Sequence, residues 1–227
     1  MTTVIIDFEK RALEIKLYFK LLERVVEEGA CLYLPEKKTH KYIRFDSELQ
    51  KVMKANMFLL LYNLAESSIK QSLSEVYDTI SSENVKYKNV KEEIQKIWID
   101  AKYKNFNQMG TDHIYEVLNN ILEDVIEIEF DATKKISGNI DGQKIREFAE
   151  QIGFSTRAHH SLNNGVKLHQ VKTQRNKLAH GDLSFAECGR SYTIDLLLFK
   201  RMKILWSNSK VQRLNKLLYL LAVHSYF

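Results

Sequence analysis

Apolar residues Ile5, Phe8, Ala12, Ile15, Phe19, Leu22 and Val26 recur at steps of three and four. That spacing puts them on one stripe of an α-helix, which Gly29 is placed to stop. A second helix is predicted to begin where Ser47 and Gln50 form a capping-box pattern. Neither Gly nor Pro interrupts the chain from there to about Ile80, so this helix would run roughly 50 Å at about 1.5 Å per residue. Its segment Met57 to Ala65 is apolar on nearly every side, which requires burial by other helices or by another subunit.

Shorter helices are expected from Asn89 to about Phe106 and from Asp112 to about Ile126, separated at Met109-Gly110. The alternation over Val125 to Phe130 fits a short strand, with room for one strand or hairpin near 125–140. Asp141 is placed to cap a helix that Gly153 ends. After a polar stretch holding His159, His160, Asn163 and Asn164, a helix from Val166 to His180 is predicted, terminated by Gly181. Ser184 with Glu187 forms another capping box for a single turn closed by Gly189, and Thr193 would cap a last long helix, interrupted near Ser207-Asn208-Ser209.

Composition supports this helical pattern. The 227 residues include 8 Gly and 1 Pro, where ordinary usage would give about 16 and about 11. So little turn chemistry argues against sandwiches, barrels and glycine-loop nucleotide folds. With 44% hydrophobic residues there is enough apolar material for a core, so the expectation is a single all-α domain over 1–227, built as a bundle of long antiparallel helices. The longest apolar runs, Met57 to Tyr62 and Leu217 to Val223, fall far short of the roughly 20 residues of a membrane span. Asp7, Glu9, Lys10 and Arg11 stand where a secretory signal would be apolar, so a cytoplasmic protein is expected. Cys31 and Cys188 lie in no CxxC pair, which fits free thiols and argues against a structural zinc site.

The net charge of +5 is unevenly distributed. Residues 157–227 hold 12 Lys and Arg against Asp182, Glu187 and Asp195, a net of 12 − 3 = +9, leaving 22 − 26 = −4 for residues 1–156. Such a skew favours a polyanionic partner such as nucleic acid, with a solvated helix face as the plainer alternative.

Few familiar catalytic signatures are present: no phosphate loop, HExxH, GxSxG or EF-hand loop occurs. His159, His160 and His169 lack the nearby Cys or spaced acidic partner of a metal site. Glu92/Glu93 and Glu123/Asp124 are sequence neighbours whose side chains would diverge on a helix, so both read as solvated faces. The segment Arg175-Asn176-Lys177-Leu178-Ala179-His180 differs, because it combines a permanent cation, an amide and an imidazole at a helix end within the basic third. A guanidinium fork matches phosphate oxygens, and imidazole exchanges a proton near neutral pH. That combination suits phosphodiester cleavage.

Arg-x4-His with a polar residue directly after the Arg resembles the mark of the HEPN superfamily, small all-α proteins of which many are ribonuclease toxins in antiviral or toxin–antitoxin systems. The resemblance extends to Leu183-Ser184-Phe185, Glu187, Gly189 and Tyr192-Thr193, to Gly138-Asn139-Ile140-Asp141 with Lys144-Ile145-Arg146, and to Tyr62-Asn63 with Glu66. Together these pieces span roughly 45–200 and are similar to the MAE-like HEPN subgroup. The resemblance implies a helical bundle that pairs as a homodimer, with the motif helices of two protomers lining one cleft that receives two Arg175 and two His180. It implies a metal-independent endoribonuclease without cofactor, acting on an RNA substrate as a toxin or antiviral defence component, with an antitoxin or another defence-system protein as a further partner. Cleavage through the RNA's own 2′-OH needs an acid, a base and a cation, and one copy of the motif offers a single imidazole.

Arg175 and His180 are therefore the expected catalytic residues, against plainer readings as a surface ion pair and as a cation at the negative end of a helix dipole. Asn176 is expected to bind a phosphate oxygen or hold the imidazole, and Glu66 either pairs with Arg175 or points to solvent. Lys172 and Lys177 are the expected RNA-backbone contacts. Phe58 and Tyr62 read as core rather than as a base-stacking platform. The competing functions are a catalytically silent HEPN-like module that binds RNA or nucleotide or assembles a defence complex, and a purely structural helical dimer.

Overall fold

The computed structural model describes residues 2–35, 40–102, 110–121, 139–153 and 166–193. Within them the chain forms α1 (Thr2–Val26), a hairpin of β1 (Cys31–Pro35) and β2 (His40–Arg44), and α2 (Ser47–Ser82). Beyond these come α3 (Glu92–Lys102), α4 (Thr111–Asn120), α5 (Gly142–Gln151), α6 (Val166–His180) and α7 (Phe185–Arg190). A turn of 3-10 helix, Tyr87–Asn89, precedes α3. Among the described residues the protein is thus mostly helical with one small antiparallel hairpin. No helix of the described residues is long and apolar enough to cross a membrane.

Helix α2 is the spine, with α1, α6 and α7 packed along it. Its 36 residues extend about 54 Å. Met57, Phe58, Leu61, Tyr62 and Leu64 are all buried, as the apolar run Met57 to Ala65 requires. The core continues through Leu22 and Val25 of α1, Trp98 of α3, Phe148 of α5, Val171 and Leu178 of α6, and Cys188 of α7. Tyr18 of α1 donates its hydroxyl to the Met53 carbonyl at 2.8 Å, tying the first helix to the second. The predicted α1 stripe turns inward, Phe8 and Leu22 fully. Ile6, Leu13, Leu17 and Leu21 on the same helix stay exposed.

The structure revises several sequence expectations. The N-cap of α2 is Asp46, not Ser47: its carboxylate accepts the Leu49 N–H at 2.7 Å, while Gln50 reaches back to the Phe45 carbonyl. The hairpin at 31–44 was not foreseen, since its strands are too short and too solvent-exposed to leave a strong periodic signal. The strand expected over Val125–Phe130, the polar stretch around His159 and His160, and the last helix after Thr193 lie outside the described residues. Both cysteines are free thiols, Cys31 exposed and Cys188 buried.

Gly189 does not close a turn. It sits inside α7, where a β-carbon would lie 1.9 Å from the Lys51 carbonyl oxygen of α2. Only a residue without a side chain lets the two helices approach this closely. The Ser184–Glu187 capping box is formed in full: the Ser184 hydroxyl accepts the Glu187 N–H while the Glu187 carboxylate accepts the Ser184 N–H. Hydrogen bonds from Ser184 also hold the Glu187 carboxyl below its ordinary range.

Candidate active site

Helix α6 carries the Arg-x4-His segment and ends where the sequence indicates. Gly181 adopts φ 76°, the left-handed conformation that lets the chain leave a helix without a β-carbon clash. The Asp182 N–H then bonds the Lys177 carbonyl at 2.9 Å and the Gly181 N–H bonds the Leu178 carbonyl at 3.4 Å, the paired bonds of a Schellman termination. His180 is thereby fixed as the last residue of the helix, and it is exposed.

Arg175 is positioned quite differently. Its guanidinium lies over the Tyr62 ring, 4.6 Å from the centroid, and donates to the Asn176 side-chain oxygen at 3.0 Å. A cation over the face of a buried aromatic ring is stabilised by about 2 kcal/mol. Tyr62 is itself fully buried, and its hydroxyl accepts the Ile140 N–H at 3.1 Å. Burial first, then the neighbouring Glu66 carboxylate, push the Tyr62 phenol above its ordinary range. The phenol therefore stays neutral, and its ring remains a neutral seat for the cation. Among the described residues no carboxylate forms an ion pair with Arg175.

Glu66 and Asn176 were singled out together with Arg175, and the structure brings all three to the same corner by different contacts. Glu66 pairs with Lys70 at 2.7 Å rather than with Arg175, and acts on the site through the Tyr62 phenol. Asn176 is the direct polar neighbour of Arg175, and it lies one helical turn before His180 on the same face. Arg175 and His180 themselves are separated by about 140° around the helix and about 7.5 Å along it.

The two expected RNA-contacting lysines also part company. Lys177 is exposed, but the Lys172 ammonium makes an ion pair with Asp141, the buried N-cap of α5. Asp141 also accepts the Lys144 N–H at 2.9 Å and lies 3.3 Å from His169 Nδ1. Burial raises the Asp141 pKa, but the hydrogen bonds from Lys172, the Lys144 backbone and His169 outweigh it and hold the carboxyl at about 2. Lys172 thus joins α6 to α5 and presents little charge outward.

Sequence reasoning gave Tyr62 to the core and missed its second role as the seat of Arg175. The clue was present in Glu66, one turn after Tyr62 on the longest helix, because an acidic residue beside an apolar run implies a polar neighbour facing it. Gln174 was missed as well; its side-chain oxygen accepts from the Cys188 thiol at 3.8 Å, linking α6 to α7. Among the described residues no group of three or more His, Cys, Asp or Glu could hold a metal ion.

These features are those of a helical domain that presents a positioned Arg and an open His from one helix. The family model described as MAE_28990-like HEPN matches residues 1–201. The chain belongs to that HEPN family, whose domains are generally associated with ribonuclease activity or nucleotide binding. No curated protein and no solved structure matches the chain.

Proposed function

We propose that the protein is a metal-independent endoribonuclease, a toxin or antiviral defence component, that cuts RNA at a composite site made by two copies of the chain. One observation carries this reading: Arg175 is held by a neutral ring and an amide rather than by a described carboxylate, so its positive charge remains available for a phosphate. The reaction requires no group beyond those on the chain and the RNA. One His180 takes the proton of the 2′-OH, whose oxygen attacks the adjacent phosphorus. Arg175 balances the charge that grows on the phosphorane. The bond from phosphorus to the 5′ oxygen breaks, and the second His180 protonates the leaving oxygen. The products are a 2′,3′-cyclic phosphate and a 5′-OH. Asn176 steadies the guanidinium, and Lys177 is the cation on this helix best placed for the RNA backbone.

The homodimer is part of the proposal because a lone chain turns Arg175 and His180 to different sides of α6. The same divergence supports the second reading, a silent RNA- or nucleotide-binding or assembly module of a defence complex, in which a single helix grips phosphate without cutting.

Cleavage decides between them. Purified protein should cut single-stranded RNA in EDTA and leave DNA of the same sequence intact, since the 2′-OH is the nucleophile. His180→Ala should lose on the order of 10³-fold in rate while keeping its melting temperature, as removal of a general acid or base from an exposed position does. Titrating wild type with His180→Ala should reduce activity in proportion to the mixed dimer formed. RNA binding without cleavage would favour the silent module, and undiminished activity per wild-type chain would end the composite-site reading.

A further inference from the structure

Among the described residues the β1–β2 hairpin takes no part in holding Arg175 or His180, and residues on both of its faces are exposed. All of β1 is exposed, as are Lys41, Tyr42, Ile43 and Arg44 of β2. The register pairs Cys31 with Arg44, Leu32 with Ile43, Tyr33 with Tyr42 and Leu34 with Lys41. Because side chains alternate along a strand, Tyr33, Tyr42 and Arg44 share one face, and Leu32, Leu34, Lys41 and Ile43 share the other. The two tyrosine rings stand 5.4 Å apart between centroids, and Tyr42 is still 65% exposed.

A two-stranded hairpin is marginal in water without something to cover it, so the exposure calls for a partner, and the charges indicate which. Neither strand contains an acidic residue, whereas Arg44, opposite Cys31, follows Tyr42 on the tyrosine face and Lys41 stands opposite Leu34 on the other. The centres of protein interfaces are depleted in lysine, although they are rich in tyrosine and arginine. An exposed aromatic face alternating with a cation, as Tyr42 does with Arg44, is what single-stranded nucleic acid uses, with bases on the rings and phosphates on the cation.

We infer that the tyrosine face of this hairpin is a second contact surface for single-stranded RNA, with Tyr42 and Tyr33 stacking on a base and Arg44 meeting the backbone. The inference rests on the ribonuclease reading of Arg175 and His180, and extends it from the site of cutting to the way the strand is held. Tyr62 lies about 22 Å along α2 from Ser47, where that helix leaves the hairpin. That span equals about six stacked nucleotides at roughly 3.4 Å each. RNA long enough to touch both places should therefore bind more tightly than RNA that reaches only one.

The test uses the full-length His180→Ala chain, which is expected to bind without cutting, and fluorescein-labelled oligouridines of about twelve and about four nucleotides. Anisotropy should show Tyr42→Leu weakening the longer RNA about tenfold, the loss of one base stack. Leucine keeps the apolar bulk of the strand while removing the ring face. Arg44→Gln should reduce the slope of log affinity against log salt by about 0.7, one phosphate contact fewer on a single strand. Shortening the RNA should weaken the parent but add little further loss in Tyr42→Leu. If the parent binds and the wild type cuts RNA while both hairpin variants bind like the parent, the ribbon is wrong and the catalytic reading stands. Parent chain that neither binds nor cuts RNA overturns both. A variant that binds normally but changes mass by light scattering assigns the hairpin to a protein contact, which also overturns the inference.

Discussion

The two halves of the Arg-x4-His segment are held in opposite ways. Arg175 is fastened on several sides: the buried Tyr62 ring lies beneath it, Asn176 beside it, Val171 and Leu178 anchor its helix in the core, and Lys172 ties that helix to Asp141. His180 stands exposed at the helix end, fixed among the described residues through its backbone by the turn at Gly181. An anion-binding cation gains from being preorganised, because nothing then has to reorganise as charge develops on the phosphate. A proton-transferring imidazole, the role proposed for His180, needs access to substrate and solvent, and a helix terminus supplies it. The difference makes a separation testable: changes around Arg175 should be felt in stability, and changes at His180 in chemistry alone.

The largest stability effect is expected where α7 meets α2. By helix propensity Gly189→Ala should stabilise α7 by about 1 kcal/mol, but the new methyl would stand 1.9 Å from the Lys51 carbonyl oxygen. Moving α7 away would also strain the contact of Phe58 with Tyr192, whose ring centroids are 4.7 Å apart, and the bond from the Lys54 ammonium to the Tyr192 carbonyl at 2.8 Å. Overpacking against backbone should win, for a net loss of about 3 kcal/mol in denaturant unfolding. A variant as stable as the parent would mean that α7 can stand off from α2 at no cost, and the fastened side would be looser than the structure shows.

Much of this was legible in the sequence wherever a local rule decided the outcome. The boundaries of α6, its Gly181 stop, the Ser184–Glu187 box and the Asp141 cap each follow from a few neighbouring residues, and each is found. Apart from the short hairpin at 31–44 and the one-residue shift of the α2 cap to Asp46, what was not legible depends on residues far apart in the chain. Nothing near Gly189 announces that Lys51 lies against it, and a turn-closing glycine looks the same in sequence as one admitting a neighbouring helix. Tyr62 and Arg175 likewise meet only after α2 and α6 pack. Lys172 looked like its exposed neighbour Lys177, and only the position of Asp141 on another helix separates them.

Asp141 supplies the next test, with a pH signature. Its carboxyl titrates at about 2 in the folded protein against 3.8 for an unperturbed aspartate. A depressed folded pKa contributes stability above the unfolded value and loses it as pH falls through the folded one. The contribution, about 2 kcal/mol from the size of the shift, should therefore be complete at neutral pH and disappear between about pH 4 and about pH 2. Asp141→Asn keeps a side chain able to cap α5 but not the charge that Lys172 and His169 face. The variant should be less stable than the parent by about that amount at pH 7, and the two should converge in acid. A constant gap across the pH range would mean that the charge is immaterial and that only packing was disturbed.

The smallest expected effect cuts closest to the comparison, because it divides Tyr62 into its two parts. Tyr62→Phe removes the hydroxyl and leaves the Ile140 N–H buried without its 3.1 Å acceptor, which should cost about 1.5 kcal/mol of stability. The ring beneath Arg175 remains, and a phenyl face attracts a guanidinium nearly as well as a phenol face. RNA cleavage by Tyr62→Phe should accordingly stay within about threefold of wild type, since neither the cation nor the imidazole loses its place. Tyr62→Leu fills the core but offers no π face, so it should lower kcat by tenfold or more, with KM changed much less, because a misaligned Arg175 still attracts phosphate but serves the transition state poorly. Equal kcat values in the two variants would show that the ring does not seat Arg175. The fastening of the guanidinium would then have to come from Asn176 and the packing of α6 alone.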